Sequence, residues 1–412
     1  MSKEVLNVRC CISGGGPAGV MLGYLLARSG IEVAVLEKWP DFFRDFRGDT
    51  IHPSTMEVLH ELGILESFLN LPHDETQKFE GDIGEARVIT ADFAGLKMRC
   101  PFIAFIPQWD FLNFISKEAQ HYPAFHLMME TEAVDLIEEE GCVAGIRAKN
   151  PKGEIEIRAD LVVGADGRHS TIREKSGLKI DNLGAPIDVL WFRISRKESD
   201  PKQSMGRIDE GKMMVMLERG DYWQCGFIIR KGDFENIQKE GLESFRTTIA
   251  DLMPFLHDRS REIADWNSVK LLTVTVDHLQ KWYKDGLLCI GDASHAMSPV
   301  GGVGINLAIQ DAVAAANILI PKFLGGGVKL RDLAAVQRRR EFPTRLTQRL
   351  QIFIQNKLIG KVLGVPGHPK LAWPLKLLAR YPYFRRIPAY IIGIGFRPEH
   401  IKISNKFKPA EY

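Results

Sequence analysis

The chain has 412 residues, of which 45% are hydrophobic and 26% charged, and its formal net charge is +2. This composition predicts a large core divided among two or three subdomains, and the near-neutral charge disfavours binding to nucleic acid. The charge is unevenly distributed, because residues 331–412 hold 17 Lys and Arg against 4 Asp and Glu.

The six cysteines show no CxxC spacing, and three of them lie in clearly apolar stretches. We therefore predict small core residues in a reducing compartment, a cytoplasmic location and no metal site. No signal peptide is recognised, and no apolar run approaches the roughly 18 residues of a membrane span. The cysteines are Cys10, Cys11, Cys100, Cys142, Cys225 and Cys289.

The first elements of the chain form a strand, a glycine turn, a helix and a second strand. The apolar residues 8–13 run into Gly-Gly-Gly-Pro-Ala-Gly at 14–19, an apolar helix follows, and the strand at 33–37 ends on an acid. This order and spacing are typical of a βαβ unit that binds a dinucleotide.

Each of the characteristic positions of this βαβ unit has a physical role. Gly14 allows the tight turn, Gly16 lets a pyrophosphate approach the backbone, and Gly19 lets the helix and the strand pack closely. The helix N-terminus offers free N–H groups to the phosphates. Glu37 lies where a carboxylate would accept hydrogen bonds from a ribose.

The next stretch predicts two helices and several strands. One helix begins near Pro53, residues 75–101 form strands and turns, and a second helix at 111–120 is opened by residues 106–110. Alternating apolar residues then predict a three-stranded meander at 131–138, 143–148 and 154–159.

Two further apolar strands end in a glycine and an acid. The first covers residues 160–163 and ends in Gly-Ala-Asp-Gly, and a helix begins near Ser170. The second covers residues 287–290 and continues through Gly291 and Asp292 into a helix at 307–319. Between them the pattern predicts an antiparallel sheet at 186–230, a helix at 242–256 and a strand at 271–276. The chain after residue 319 is predicted to be helical and basic.

Three segments thus place glycine and an acid after apolar strands, at 14–19, 164–167 and 291–304. In an open α/β sheet, ligands bind at the carboxyl ends of the strands. We therefore expect all three segments to converge on one elongated cofactor.

These segments resemble one family. GGGPAG at 14–19, GADGRHSTIR at 164–173 and GDASHAMSPVGGVGINLAIQDA at 291–312 resemble the single-component FAD-dependent aromatic hydroxylases. These are flavin monooxygenases of the para-hydroxybenzoate hydroxylase type, with relatives in ubiquinone biosynthesis and polyketide hydroxylation. The resemblance covers about residues 5–320.

The resemblance and the patterns together imply an α/β fold. It comprises a Rossmann-like FAD-binding domain, an inserted antiparallel β-sheet domain for the substrate and a helical C-terminal region. The FAD-binding domain is expected to be discontinuous, with residues 1–74, 102–183 and 270–320. The substrate domain would take 75–101 and 184–269, and the basic helical region 321–412.

The resemblance also implies which residues bind FAD. Arg47 and Pro299 would lie beside the reactive part of the flavin as catalytic residues. Asp292 would accept hydrogen bonds from the ribityl hydroxyls, and Gln108 would lie near the same chain. The full predicted set is Gly14, Gly16, Pro17, Ala18, Gly19, Glu37, Arg47, Gln108, Asp166, Gly167, Asp292, Pro299, Gly302, Gly304, Ile305 and Asn306.

The implied reaction uses NAD(P)H to reduce FAD and O2 to form a flavin C4a-hydroperoxide. That species would hydroxylate an apolar aromatic, quinone-precursor or polyketide-like small molecule. Large residues of the predicted antiparallel sheet are candidates for the substrate pocket, although strand alternation would divide them between pocket and core. They are Trp191, Arg193, Met214, Met216, Trp223 and Phe227.

The sequence names no catalytic base. For His52 and His295, both in the glycine-rich segments, we favour structural hydrogen bonding over a proton relay. For Asp49 we favour a salt bridge or a loop cap over a role as base.

Two other functions remain open from the sequence. One is a flavin-dependent reductase or dehydrogenase that saturates isoprenoid double bonds, and the other is a non-catalytic FAD-binding protein. The completeness of the motifs argues against the second. The chain shows no second GxGxxG after a strand, no CxxC and no Trp-x-Trp-x-Ile-Pro, which argues against disulfide reductases and flavin halogenases.

The basic C-terminal region has two interpretations. Residues 350–396 interleave Lys and Arg with apolar and aromatic residues. Such a segment can bind the surface of an anionic membrane as a peripheral contact. The alternative, which we favour, is a helical cap packed on the FAD-binding domain.

Overall fold

The computed structural model describes residues 4–43, 49–365, 367–369 and 371–403. Its strands form an eight-stranded, a seven-stranded, a three-stranded and a two-stranded sheet. The strands are β1 (Glu4–Ser13), β2 (Val33–Leu36), β3 (Thr50–Ile51), β4 (Asp74–Thr76), β5 (Lys78–Ile83), β6 (Ala86–Asp92), β7 (Ile103–Phe105), β8 (Phe125–Met128), β9 (Glu132–Glu139), β10 (Cys142–Asn150), β11 (Gly153–Gly164), β12 (Ile180–Asn182), β13 (Ile187–Ser195), β14 (Met205–Asp209), β15 (Lys212–Glu218), β16 (Tyr222–Arg230), β17 (Lys270–Leu272), β18 (Asp277–Leu279), β19 (Tyr283–Lys284) and β20 (Leu287–Cys289).

The α-helices pack mainly around the first sheet and along the C-terminal part of the chain. A π-helical turn, Gln355–Ile359, directly continues the longest of them. The α-helices are α1 (Pro17–Arg28), α2 (Pro53–Leu62), α3 (Leu65–Leu69), α4 (Gln108–Gln120), α5 (Thr171–Ser176), α6 (Phe234–Glu240), α7 (Leu242–Leu252), α8 (Gly304–Leu324), α9 (Leu330–Ile354), α10 (Gly360–Val362), α11 (Trp373–Arg380) and α12 (Arg386–Gly393).

The eight-stranded sheet is the first sheet, and its central strands are parallel. The strand order is β19-β20-β11-β1-β2-β8, and β1 pairs in parallel with both β11 and β2. All four residues of β2 are buried, as expected for a strand covered by helices on both faces. Helix α1 connects β1 to β2 and packs against α4 and α8. This confirms the βαβ unit predicted from residues 8–37.

One strand serves two parts of the first sheet. The predicted third strand of the meander and the apolar strand after it form a single 12-residue strand, β11. Its first half pairs with β10 in antiparallel fashion, and its second half lies between β1 and β20 in parallel fashion. The meander is therefore an extension of the first sheet.

The seven-stranded sheet is the second sheet, with strand order β17-β13-β16-β15-β14-β5-β6. Its outer face packs against α7 through a buried apolar cluster that includes Phe192, Met214 and Phe245. Its inner face carries Val189, Val215 and Ile228, which pack with Val300 and with residues of the C-terminal region. The second sheet and the C-terminal region therefore pack against each other at this inner face.

Two predicted elements are shorter than their apolar patterns. The helix predicted at 242–256 ends at Leu252, and a separate 3-10 turn covers Pro254–Leu256, because proline cannot donate the next helical hydrogen bond. The strand predicted at 271–276 is reduced to β17 at Lys270–Leu272. The α/β fold with its antiparallel sheet and helical C-terminal region is confirmed.

One segment, Val300–Leu324, is long and apolar enough by composition to cross a membrane. The sequence analysis did not recognise it, because glycine, asparagine and glutamine interrupt its apolar run. Within the structure 83% of its most apolar window is buried, and α8, which forms most of it, packs against α1 and α9. It is a core helix of this fold.

Candidate functional site

The three predicted turns lie side by side at one edge of the first sheet. In the parallel register of β1, β11 and β20, Ser13 lies opposite Gly164, and Gly164 lies opposite Cys289. The turns that follow these residues therefore share an edge, and the backbone N–H of Ala165 donates to the carbonyl of Ser13 at 2.8 Å. The structure thus brings the three turns to one carboxyl edge, which is the candidate site, and their joint binding of one cofactor stays a prediction.

The glycines of the first turn meet two different requirements. Gly14 has φ +107°, and a Cβ there would lie 2.4 Å from the carbonyl oxygen of Ala165. A Cβ on Gly19 would lie 1.9 Å from the carbonyl oxygen of Gly14. By contrast, a Cβ on Gly16 would meet no atom of the described residues within 4 Å. Gly14 and Gly19 are required for packing, whereas Gly16 borders open space.

Helix α1 begins at this open space without a side-chain cap. Gly16 is its N-cap residue and Pro17 its first residue, and no described side chain accepts from the first turn. Ala18 is buried, and its Cβ lies 3.2 Å from where a Cβ on Gly291 would be, so the first and third turns touch. The free N–H groups of α1 suit a phosphate.

Glu37 follows β2 and contacts the first turn directly. Its Oε2 accepts from the backbone N–H of Gly15 at 3.1 Å, and its Oε1 accepts from that of Trp39 at 3.2 Å. The carboxylate is thus held beside the glycine turn, at the position predicted for a ribose contact.

Asp166 is used by its own helix. Its Oδ1 accepts from the hydroxyl of Ser170 at 2.5 Å, and its Oδ2 accepts from the N–H of Ile172 at 3.1 Å. Burial raises the pKa of Asp166, although these hydrogen bonds oppose the shift. The side chain caps α5, and Gly167, at φ +84°, turns the backbone next to the site. The predicted contacts of Asp166 and Gly167 with FAD stay predictions.

Asp292 differs from Asp166, because its carboxylate makes no hydrogen bond within the part of the chain that is described. Its side chain is 30% exposed, and Arg168 Nη2 lies 3.7 Å from its Oδ2. The preceding Gly291 is fixed from behind, where its N–H donates to Oδ2 of the buried Asp311 at 3.1 Å. Asp292 is therefore positioned and still able to accept hydrogen bonds from a ligand.

The third turn ends at the N-terminus of α8. Pro299 is exposed, Gly302 has φ +63°, and the carbonyl of Gly302 accepts from the hydroxyl of Thr50 at 2.9 Å. A Cβ on Gly304 would contact none of the described residues within 4 Å. Among these residues no side chain caps α8. A second set of free N–H groups therefore faces the site.

Asn306 braces this turn with all of its side-chain hydrogen-bonding groups. Its Oδ1 accepts from the N–H of His52 and the hydroxyl of Thr55, at 2.9 and 2.7 Å. Its Nδ2 donates to the carbonyls of Thr50 and Gly302, at 3.1 and 3.4 Å. The side chain is committed to the protein, so a contact of residue 306 with FAD would involve its backbone. The neighbouring Ile305 is 8% exposed and belongs to the core.

His52 is a structural residue with a defined tautomer. Its Nδ1 lies 2.8 Å from the carbonyl oxygen of Ile392, and since a carbonyl only accepts, Nδ1 carries the proton. The residue is fully buried, and burial lowers the pKa of His52 to about 4. Its neutral ring ties the third turn, through Asn306, to α12.

His295 belongs to a buried ion network behind the third turn. Its Nε2 lies 2.5 Å from Oδ2 of Asp311, and Oδ1 of the same carboxylate accepts from Nε of Arg340 at 2.9 Å. Burial alone would raise the pKa of Asp311, but His295 and Arg340 hold it below its usual value. Glu399 contacts Arg340 at 3.4 Å and extends the network to the C-terminal region.

The predicted flavin arginine, Arg47, lies outside the described residues, but its neighbour Asp49 is well defined. Asp49 forms a buried salt bridge to Arg219 of the second sheet, with 2.5 Å between Oδ2 and Nη2. This confirms the expectation of a salt bridge. Gln108 is half-buried at the first position of α4, beside the same segment, where the sequence placed it.

The structure separates the six predicted substrate residues. Met214, Met216, Trp223 and Phe227 are buried in the cluster that packs against α7, on the outer face of the second sheet. Trp191 packs with the inner-face cluster, and Arg193 is exposed with its guanidinium 4.8 Å from the ring of Tyr222. The location of the first four argues against a role in substrate binding. The sequence could not show which face the helix would cover.

The inner face carries large residues that the sequence analysis did not name as substrate candidates. Val215 and Leu217 of β15 alternate with the buried Met214 and Met216, and Gln224 lies opposite Leu217 on β16. Gln224 Oε1 accepts from Nε of Arg219 at 3.2 Å. The alternation of these strands showed that large residues lie on both faces of the sheet. The pattern alone does not show which face is covered by a helix and which faces a ligand.

The C-terminal region closes the inner face. Ile359 and Leu363 pack with Val189 and Val300, and Ala389 of α12 packs with Phe105. The loop after α10 is tied to the second sheet, where His368 Nδ1 lies 2.8 Å from Oδ1 of Asp209. With Glu210 these two residues have metal-ligand spacing, but Asp209 is already paired with Arg207 and two of the three side chains are exposed.

The outward side of this region is aromatic and basic. Trp373 is 76% exposed and Tyr383 72% exposed, and neither lies in a described apolar cluster. The sequence from residue 342 to residue 398 contains ten Lys and Arg and no Asp or Glu. One side of the C-terminal region is thus a cap, and the other is an aromatic surface to which residues 342–398 contribute no acidic side chain.

The geometry fits FAD in two respects. Two helix N-termini without described caps, those of α1 and α8, face the same sheet edge, and the glycines at both would admit a bulky group next to the backbone. Anionic groups, such as a pyrophosphate or a reduced flavin ring, are stabilised at such N-termini. Asp292 adds a free acceptor between them.

Comparison with known proteins agrees with this geometry. Residues 7–350 match the family model described as "FAD binding domain". The chain is 30% identical over 381 residues to the 6-methylpretetramide 4-monooxygenase of Streptomyces rimosus. The aligned region covers 92% of this chain and 90% of that protein. It is 25% identical over 322 residues to the 12-dehydrotetracycline 5-monooxygenase/anhydrotetracycline 6-monooxygenase of S. rimosus subsp. rimosus.

The chain spans most of the first relative but only 60% of the length of the second. Among solved structures, PqsL from P. aeruginosa in complex with 2-aminobenzoylacetate matches with a TM-score of 0.72 and 19% identity. The match covers 87% of this chain and 97% of PqsL. At this identity the likeness concerns the fold alone.

Proposed function

The chain belongs to the FAD binding domain family, and we propose that this FAD-dependent monooxygenase hydroxylates an apolar, fused-ring aromatic compound. NAD(P)H is the reductant and O2 the oxidant. One oxygen atom enters the product and the other leaves as water, with the two electrons and a proton from NAD(P)H and one proton from solvent. The names of the relatives, which act on 6-methylpretetramide and anhydrotetracycline, support this substrate class.

The observation that carries the proposal is the pair of helix N-termini at one sheet edge. We propose that the first turn and Glu37 hold the ADP part of FAD, and that Asp292 holds the ribityl chain. FAD supplies the redox chemistry, taking a hydride from NAD(P)H and activating O2. The backbone N–H groups at Gly304 would stabilise negative charge on the flavin ring.

The proposed substrate cavity lies between the inner face and Pro299. Val215 and Leu217 would provide apolar contacts, and Gln224 a hydrogen-bonding group fixed by Arg219. The cap of Ile359 and Leu363 would keep water from the reacting atoms, which matters because water diverts activated oxygen from the substrate. The chain's own task is to orient the ring and exclude water.

Turnover experiments separate this proposal from its alternatives. We expect NAD(P)H oxidation in air to accelerate with an aromatic panel of phenols, quinone precursors and fused-ring compounds. The product should carry one oxygen atom derived from 18O2. Anaerobic turnover with an electron acceptor, and no label in the product, would instead establish a reductase. FAD binding with no turnover on the whole panel would favour a binding protein.

We also propose that the aromatic surface of the C-terminal region contacts an anionic membrane at its periphery. Support comes from the exposure of Trp373 and Tyr383 and from the absence of acidic residues between 342 and 398. Exposed aromatic rings suit the membrane interface, and each Lys or Arg near anionic lipid contributes about 1 kcal/mol. An apolar substrate dissolved in a bilayer could then be collected directly.

Vesicle sedimentation tests the membrane contact. At low salt the protein should pellet with anionic vesicles and remain in the supernatant with neutral ones. Trp373→Ser combined with Tyr383→Ser should reduce the pelleted fraction, whereas Leu271→Ser, at an exposed apolar position of the second sheet, should not. Protein that stays in the supernatant with both kinds of vesicle rules the contact out.

A further inference from the structure

Helix α9 buries a polar stripe in addition to the apolar residues Leu333 and Val336 near its start. Its members are spaced three or four residues apart, so they share one face of the helix, and each is less than 9% exposed. They are Gln337, Arg340, Thr344, Gln348, Gln351 and Gln355, the last at the start of the π-helical turn. Burying several amides is costly unless they make specific hydrogen bonds.

The last three members, which we call the glutamine ladder, all bind the third turn. Gln348 Nε2 donates to the carbonyls of Asp277 and Ala296, at 2.7 and 3.0 Å. Gln351 Nε2 donates to the carbonyls of Ser298 and Val300, at 3.0 and 2.8 Å. Gln355 Nε2 donates to the hydroxyl of Ser298 at 2.5 Å.

The ladder matches the backbone of that segment. Residues 295–298 have no regular secondary structure, and the carbonyls that the ladder binds belong to residues 296, 298 and 300. Gln348 holds the carbonyl of Ala296, Gln351 holds those of Ser298 and Val300, and Gln355 holds the Ser298 hydroxyl, so two glutamines bind three alternate carbonyls and the third binds a side chain of the same segment. Asp277 Oδ1 accepts from the N–H of Ala296 at 3.0 Å on the same segment. Pro299 lies between the last two bound carbonyls.

The same helix reaches the proposed substrate cavity. Immediately after the ladder, Ile359 and Leu363 pack with Val300 and the inner face of the second sheet. The amide oxygens of the three glutamines have no hydrogen-bond partner within the described parts of the chain. Burying these unpaired oxygens costs folding free energy, which offsets part of what the hydrogen bonds of the amide nitrogens contribute. Leucines at these positions would leave the carbonyls of Ala296, Ser298 and Val300 without these donors, so the ladder is tied to the backbone path of the third turn.

We propose that the glutamine ladder is a positioning device for the flavin site. It fixes the path of residues 296–300 and thereby the place of Pro299 relative to the flavin and the substrate. Gln348, Gln351 and Gln355 are positioning residues, since they act through the backbone of the third turn. This inference deepens the proposed function and rests on it.

The test uses full-length protein and a matched pair of variants. Gln351→Met removes two hydrogen bonds between α9 and the third turn. Gln337→Met removes two from the same helix, with the N–H of Trp282 and the carbonyl of Gln280, neither of which belongs to residues 291–304. Both should lower the Tm similarly. Only Gln351→Met should raise the Kd for FAD, by about tenfold, and shift the visible flavin absorption.

A second measurement concerns the coupling of NAD(P)H oxidation to hydroxylation of the substrate. Gln351→Met should release a larger share of the NAD(P)H electrons as hydrogen peroxide, while Gln337→Met keeps the wild-type share. Equal Kd, spectrum and peroxide share for the two variants would overturn the proposal. If Gln351→Met does not fold, Gln355→Met, which loses one hydrogen bond, must show the same difference from Gln337→Met; a lack of difference is equally fatal.

The FAD measurements also separate this inference from the function. Wild-type protein that binds FAD but hydroxylates nothing refutes the monooxygenase, while the Kd and spectrum of the variants still decide the ladder. Wild-type protein that binds no FAD refutes both.

Discussion

Asp49 and Arg219 form a buried salt bridge between the start of β3 and the turn after β15, with 2.5 Å between Oδ2 and Nη2 and both side chains 5% exposed. Asp49 directly follows the segment that contains the predicted flavin arginine, and Arg219 lies between β15 and β16 of the second sheet. Arg219 also donates to Gln224 on the inner face. The pair therefore links the cofactor side of the site to the proposed substrate side.

Breaking this pair should destabilise the protein strongly. Arg219→Met leaves the Asp49 carboxylate buried without its partner, which costs about 3–5 kcal/mol of unfolding free energy. Asp49→Asn combined with Arg219→Met should recover part of that loss, because no charge remains buried. Urea unfolding of the single and double variants measures both effects. A double variant as unstable as Arg219→Met would contradict this account.

The pH dependence of Arg219→Met follows from Asp49. Burial already raises the pKa of Asp49 from its usual 3.8, and Arg219 is the main group that opposes this shift. Without Arg219 the folded pKa rises further. An acid with a raised pKa loses folding free energy as the pH rises from its unfolded pKa, so the variant should be closest to wild type near pH 4 and least stable at pH 7.

Two glycines of the first turn should fail in different ways. A Cβ on Gly16 meets no described atom within 4 Å and the backbone has φ −75°, so Gly16→Val should fold with little loss of stability and lose FAD affinity. A Cβ on Gly19 would lie 1.9 Å from a backbone oxygen, so Gly19→Ala should lower the Tm of the FAD-free protein. Thermal unfolding without FAD and titration with FAD separate the two. Wild-type FAD affinity in Gly16→Val would remove the first turn from the site.

Asp292 and His295 should also separate binding from stability. Asp292→Ala removes a free acceptor and should weaken FAD binding by about 1.5–3 kcal/mol with little change in Tm. His295→Ala removes the buried partner of Asp311 and should mainly lower the Tm. Titration of apoprotein gives the FAD affinities. If the two variants bind FAD equally, Asp292 does not contact the cofactor.

The two faces of β15 give a prediction about substrate binding. Met214 is fully buried on the outer face, so Met214→Ala should cost about 2–5 kcal/mol of stability and leave KM nearly unchanged. Val215 lies on the inner face, and Val215→Phe should raise KM for a bulky aromatic substrate by narrowing the cavity. Steady-state kinetics at a temperature where both variants are folded decides this. If instead Met214→Ala raises KM and Val215→Phe does not, the substrate cavity lies on the outer face.

Acid should destabilise the protein through His52. Burial lowers the pKa of His52 to about 4, whereas the ordinary value is 6.5. Between these values the unfolded chain binds a proton that the native state does not. The contribution of His52 to stability is therefore complete above pH 6.5 and falls by about 1.4 kcal/mol per pH unit as the pH drops towards 4. His52→Asn, which keeps a donor near the Ile392 carbonyl, should flatten this slope, and His257→Asn at an exposed position should not.

The sequence predicted those parts of the site that depend on local chain geometry. The turn at Gly14 needs a positive φ and a nearby strand end, and both requirements are visible within 30 residues. Parallel strands that each end in glycine and an acid must share an edge, so the convergence of the three turns was also predictable.

Other parts depend on contacts between distant segments. The outer position of Met214 is decided by α7, which follows it by nearly 30 residues, and alternation alone fits either face. The salt bridge of Asp49 joins residues 170 positions apart. The polar stripe of α9 was visible as a helical period of Gln, Arg and Thr, but a polar period normally marks the solvent side, so it indicates a buried face only once the partner backbone is known.

The ion network of Asp311, Arg340 and Glu399 has a consequence for the chain as it leaves the ribosome. The βαβ unit is synthesised first, but the buried carboxylate of Asp311 gains Arg340 only after another 29 residues, and Arg340 gains Glu399 only after a further 59. During translation Asp311 can therefore pair with His295, which precedes it, but it lacks Arg340 for 29 residues, and Arg340 then lacks Glu399 for a further 59. The brace behind the third turn is therefore expected to be complete only after Glu399 has been added to the chain.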